Sequence, residues 1–163
     1  MASGNTLLSF TPLSNVPPST DFATFDTRNF HPVLDFDGSA TEYGSFEDVM
    51  PRHYAGGGIT LTVGTMTTSA TSGQFRLGFA WERHAGSFDL DTNLFSATQY
   101  LHITAVATPG VVIYGATNFA NGTAISNIAA GDHFRLLVAR DPVNGNDDIT
   151  TDIELVSVEL RET

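Results

Sequence analysis

Between Gly57 and Arg83 the chain alternates apolar and polar residues twice over. Ile59, Leu61 and Val63 stand against Thr60 and Thr62, and then Phe75, Leu77, Phe79 and Trp81 stand against Arg76 and Glu82. Successive side chains of a strand point to opposite faces, so each run presents one apolar side and one polar side. Such runs build an antiparallel sheet with one face buried. Trp81 shares the phase of Phe75, Leu77 and Phe79 and is expected in the core.

The same signature recurs from Phe30 to the C-terminus, in about eight runs: 31–37, 42–50, 57–68, 74–84, 98–107, 111–119, 133–140 and 149–161. Turn residues separate them, among them Asp37-Gly38-Ser39, Gly56-Gly57-Gly58, Ser72-Gly73, Pro109-Gly110, Asn121-Gly122 and Asn144-Gly145. Helix has little room, although Leu94, Ala97, Leu101 and Ala105 also fit helical spacing. The expected fold is all-β, an antiparallel, jelly-roll-like β-sandwich of about eight strands over residues 29–163.

Residues 1–28 read differently. Pro12, Pro17 and Pro18 forbid a helix and discourage a central strand, so the segment is expected to run as an extended N-terminal arm. Its apolar residues Leu7, Leu8, Phe10, Phe22 and Phe25 are too many for a disordered tail. They are candidate anchors on the domain's own surface or on a partner. In the last run Ile153 and Leu155 share one face, whereas Val156, Val158 and Leu160 share the other. Either a bulge re-aims an outer strand there, or both its faces are covered.

Composition excludes several chemistries. There is no cysteine, and all seven basic residues are arginine, so thiol nucleophiles, thiolate metal sites, Schiff-base lysines and P-loop lysines are absent. The formal net charge of −11 repels polyphosphate, so no nucleic-acid partner is expected. No apolar run approaches the roughly 20 residues that span a bilayer, so no membrane partner is expected either.

Three acidic clusters invite a closer reading. Asp89, Asp91 and Asn93 match the opening of a calcium loop, but Leu94 replaces the sharp-turn glycine and no glutamate follows at the twelfth position, so solvated turn acids are favoured. The Asp141–Asp148 segment, with Asn144, Asn146 and Asp147, reads as a long polar hairpin turn, with calcium the lesser alternative. Asp35 and Asp37 would share a strand face about 6.5 Å apart, within reach of glycoside hydrolysis, yet such alternation is what any amphipathic strand shows. The histidines His31, His53, His84, His102 and His133 have no metal-binding spacing, and no GxSxG elbow nominates a serine. No catalytic residue, cofactor or metal is assigned. Tyr43, Tyr54, Tyr100 and Tyr114 could instead stack on sugar rings.

The runs FHPVLDFD, VMPRHYAGGGITLTV, ATSGQFRLGF, AAGDHFRLLVARD and ELVSVELRET resemble small virion proteins of tailed bacteriophages, of the jelly-roll capsid decoration (cement) or accessory tail type. The resemblance implies a non-enzymatic homo-oligomer, commonly a trimer. It would be made in the host cytoplasm and seated on the major capsid protein at the virion exterior, with Leu7, Leu8, Phe10, Phe22 and Phe25 of the arm docking on the shell or a neighbour. Two alternatives stand beside it: a tail-fibre or receptor-recognition domain that grips host glycans through aromatic side chains, and a glycan-cleaving domain using Asp35/Asp37 or Asp89/Asp91.

Overall fold

A computed structural model describes residues 4–92 and 94–163. It forms an antiparallel, jelly-roll-like β-sandwich of two sheets, with ten strands among those residues. The strands are β1 (Thr6–Phe10), β2 (Thr24–Arg28), β3 (His31–Phe36), β4 (Glu42–Val49), β5 (Ile59–Thr67), β6 (Gln74–His84), β7 (Gln99–Thr104), β8 (Ile113–Phe119), β9 (His133–Arg140) and β10 (Ile153–Glu162). The first sheet runs β2-β3-β10-β5-β8 with β1 also paired to β10, and the second runs β4-β9-β6-β7. All eight alternating runs are strands. Residues 92–107 hold β7 rather than a helix, because Thr98, Ile103 and Thr104 favour extended backbone.

The alternation sorts the second sheet cleanly. Phe75, Leu77, Phe79 and Trp81 of β6 and Phe134, Leu136 and Val138 of β9 are buried between the sheets. Trp81 meets Phe119 of the opposite sheet edge-on at 5.5 Å between ring centroids, so the one tryptophan joins the two layers. Burying side chains of this size contributes about 1.5–3 kcal/mol each, which offsets the cost of ordering them.

Residues 4–28 are part of the sandwich rather than an arm apart from it. Thr6–Phe10 pairs with the C-terminal half of β10, and Thr24–Arg28 pairs with β3 as an edge strand. Between them the chain crosses to the other sheet, where Asn15 and Phe22 bridge to Phe46 and Tyr43 of β4. The prolines lie in this crossing, not in the strands.

Two expectations are corrected here. β10 is a central strand rather than an outer one, flanked by β3 and β1 on one side and by β5 on the other. Its phase flip is a bulge: the register against β5 shifts between Leu155 and Ser157, which returns Val158 and Leu160 to the core that Ile153 and Leu155 already face. The 141–148 segment is not a hairpin turn, because β9 and β10 belong to different sheets. At that crossing Arg140 is fully buried. Its guanidinium pairs with Asp147 and donates to the carbonyls of Phe36, Asp37, Ile149 and Thr151 at 2.6–3.2 Å. One cation thus satisfies the carbonyls where the chain changes layers, groups that would otherwise be buried without donors.

Candidate functional site: a groove on the β4-β9-β6-β7 sheet

The outward face of the second sheet carries a feature that simple alternation does not anticipate. Positions assigned to solvent hold Ala80 and Leu137, with Tyr43 and Ser45 beside them on β4. These residues form the floor of a cleft of about 520 Å³. Gly78, the next outward position of β6, is small for a reason: Tyr100 of β7 lies across it, and a Cβ there would stand 3.0 Å from the tyrosine ring.

One wall is Val16–Asp21. Val16 N–H donates to Ser45 O and Tyr43 N–H donates to Asp21 O, both at 2.8 Å, so the segment is pinned at its two ends along the edge of β4. Pro17 and Pro18 between the pins have no N–H to offer a ladder, and the chain stands away from the sheet there.

The other wall comes from the β6–β7 connection. Ser96 N–H donates to Trp81 O at 2.7 Å, while Trp81 N–H donates to Ser96 Oγ at 3.0 Å. This pairing holds Phe95 and Thr98 over the floor. The Arg135 guanidinium lies 4.8 Å from the Phe95 ring centroid, a cation–π contact.

Glu82 sits beneath this wall, fully buried. Its Oε2 accepts from Arg135 Nε at 3.0 Å and Nη2 at 2.7 Å, its Oε1 accepts from Leu94 N–H at 3.0 Å, and His84 Nε2 is 3.2 Å away. Burial pushes the carboxyl up, but the hydrogen bonds from Leu94, His84 and Arg135 outweigh it and hold Glu82 below the ordinary glutamate range. One carboxylate therefore fixes both the floor arginine and the loop that carries Phe95.

The residues singled out from sequence scatter. Leu7 and Phe10 are in the core and Leu8 packs against it; Phe22 and Phe25 remain exposed beside a shallow hollow with Pro12 and Pro17. Asp35 and Asp37 diverge. Asp37 Oδ1 accepts from Ser39 N–H, Ser39 Oγ and Ala40 N–H, bonds that lower its pKa. Asp35 is raised to about 6, by burial first and then by Asp152 and Glu154. Neither lines the groove.

Asp89 caps an exposed turn through Asp91 N–H, and Asn93 lies outside the described residues. Asp141 and Asp147 are taken by Arg76 and Arg140. Among the described residues, no group of three or more His, Cys, Asp or Glu could hold a metal ion. Of the tyrosines, Tyr43 lines the groove and Tyr100 flanks it, Tyr54 is buried, and Tyr114 is on the opposite sheet. Phe95 and Arg135 escaped the sequence reading; the outward apolar Leu137 was the available signal.

No protein-family model matches the chain, and no curated protein does. Solved structures do match. The CBM22-2 xylan-binding domain of Paenibacillus barcinonensis Xyn10C superposes with a TM-score of 0.53 at 11% identity, covering 92% of each chain. The CBM22-1 xylan-binding domain of the same protein gives 0.51 at 15% identity, covering 99% of this chain and 97% of that one. The fold is that of these xylan-binding domains.

This overturns the bacteriophage reading. The runs that resembled virion proteins contain sandwich strands and the loops leading into them, and their inward residues follow from packing a two-sheet core, which domains unrelated to capsids pack as well. With the resemblance fall the capsid decoration role, the trimer seated on a major capsid protein and the virion-exterior location, since nothing else carried them.

Proposed function

We propose that this chain is a non-catalytic module that binds an extended, neutral polysaccharide along the outer face of the β4-β9-β6-β7 sheet. The carrying observation is the groove itself. Its floor is apolar at Ala80 and Leu137, Tyr43 and Phe95 flank it, and Ser45, Thr98, Arg135 and Asp21 supply polar groups. A sugar ring has the matching character, with C–H faces for aromatic and aliphatic side chains and hydroxyls for polar ones. Four strands set about 4.8 Å apart give the sheet a width of roughly 14 Å, enough for a short run of linked rings. The xylan-binding description of the two similar structures supports a sugar polymer as ligand.

Charge supports a neutral one. The net charge of −11 opposes acidic polymers, and Arg135 and Arg76, the arginines on this face, already have carboxylate partners in Glu82 and Asp141. Hydrolysis would need a second carboxylate across the bond from the first, about 5–9 Å away. The groove lining offers Asp21 alone, with Glu82 engaged beneath the floor.

Calorimetric titration with soluble xylan, β-mannan and mixed-linked β-glucan tests the reading. At least one polymer binds the wild type, and Tyr43→Ala weakens it about 30-fold, the equivalent of about 2 kcal/mol of lost ring contact. Val143→Ala, on an exposed side chain that is not part of the groove lining, leaves affinity unchanged.

A further inference from the structure

The bulge in β10 creates a second cavity, on the outer face of the other sheet. β3 pairs with β10 only as far as Leu155, opposite Leu34, and β1 resumes the ladder at Val158, opposite Phe10. The next β3 positions to meet β10 would be Val33 and Pro32, and Pro32 has no N–H to contribute. The ladder on that side is interrupted across Val156 and Ser157. A cavity of about 660 Å³ opens at the break, within the range of about 300–1,000 Å³ typical of small-molecule sites.

Its lining is amphiphilic. Met66, Val112 and Val156 supply apolar surface, and Thr11, Asn29 and His31 supply a hydroxyl, an amide and an imidazole. The charge of Arg28 at its edge is met by Glu154 at 2.6 Å. Tyr114 extends the apolar surface outward, with 71% of its area exposed. The ring lies over Gly64 of β5, where an added Cβ would stand 3.1 Å from the tyrosine Cε1 and 3.0 Å from Val156 Cγ2. Tyr100 over Gly78 is the same device on the groove-bearing sheet. Each outer face thus presents a tyrosine ring laid across a cross-strand glycine, beside a cavity.

We propose that this cavity with Tyr114 is a second sugar-binding site, taking a separate segment of neutral polysaccharide so that one protein molecule ties two polysaccharide strands together. The proposal rests on reading the β4-β9-β6-β7 groove as a glycan site. The two sites face away from each other across two sheets about 10 Å apart, so one short oligosaccharide cannot occupy both. Self-association through this face is opposed by the −11 charge that every copy carries.

The test is binding stoichiometry, measured calorimetrically on the full chain with xylohexaose, mannohexaose and cellohexaose, alongside sedimentation velocity. Two sites per chain are expected for the hexasaccharide that binds, falling to one in Tyr114→Ala and to one in Tyr43→Ala. Val112→Asp, on an exposed side chain of the cavity lining, serves as a second variant should Tyr114→Ala fail to fold, and is expected to lose the same site. The wild type is expected to raise the turbidity of the matching long polymer at least threefold more than either single-site variant. One site per chain, lost in Tyr43→Ala and untouched by Tyr114→Ala and Val112→Asp, overturns the second site and leaves the groove reading intact. A dimer that Tyr114→Ala dissolves assigns the face to self-association and overturns it too. No binding of any hexasaccharide or long polymer by the wild type overturns both readings.

Discussion

Glu82 and Arg135 form a two-point contact under the groove, with the carboxylate Oε2 accepting from Nε at 3.0 Å and Nη2 at 2.7 Å. They sit on neighbouring strands in direct register, so the contact costs no loop ordering of its own. Glu82 is fully buried, and removing one partner of a buried ion pair leaves the other uncompensated. Glu82→Ala is expected to destabilise the fold by about 3–4 kcal/mol in urea denaturation. Glu82→Gln, which keeps the shape and one acceptor, is expected to fold better yet still weaken polysaccharide binding, because Arg135 and the Leu94 N–H lose their common anchor. Unchanged affinity in a folded Glu82→Gln would detach this pair from the site.

Asp35 makes stability depend on pH in an unusual direction. Its Oδ1 is buried without a hydrogen-bond partner among the described residues, and its pKa is raised to about 6. The native state holds this proton up to about pH 6, whereas the unfolded chain releases it near 3.8. Between those values the native state binds more protons, so the contribution of Asp35 is fully present below pH 3.8 and is lost as pH climbs through 6. Asp35→Asn removes the penalty. Denaturation at pH 4 and pH 7 is expected to show the variant gaining on the wild type at the higher pH; parallel profiles would refute it.

Arg140 is expected to be among the least replaceable residues. Arg140→Met keeps an unbranched apolar stem but removes the guanidinium and strands Asp147 and the carbonyls of Ile149 and Thr151. A loss of about 3–5 kcal/mol is expected, read as a drop in denaturation midpoint without a change in slope. Asp147→Asn, which retains an acceptor for the guanidinium, is expected to cost less.

Much of the sandwich is legible in the chain because alternation reports directly which side of a strand is dry. The eight runs, the core placement of Trp81 and the flip after Leu155 all follow from that rule. Pairing partners do not. A strand's pattern does not say which neighbour it meets, so central β10 looked like an edge, and the 141–148 segment looked like a hairpin. β1 and β2 escaped because Pro12, Pro17 and Pro18 mark their surroundings as irregular, although the strands themselves avoid the prolines.

The groove was harder still. Tyr43, Phe95 and Arg135 come from three distant stretches and converge only once β4, β6 and β9 are adjacent. Its one local trace is Leu137, an apolar residue where HFRLLVAR should show a polar one.

A neutral ligand also fixes the salt response. Interactions between exposed charges are screened as salt rises, with a Debye length of about 10 Å at 0.1 M falling to about 3 Å at 1 M. Polysaccharide affinity is expected to vary less than twofold between those concentrations. A tenfold loss would mean that charge, and so an acidic ligand, dominates recognition.

The most direct measurement is a calorimetric titration of the wild type and Tyr43→Ala with soluble xylan, β-mannan and mixed-linked β-glucan. Saturable binding of at least one polymer by the wild type, weakened about 30-fold in a variant of unchanged circular dichroism, is the expected result. Binding to none of them, or affinity that Tyr43→Ala leaves intact, would contradict a glycan site on this sheet.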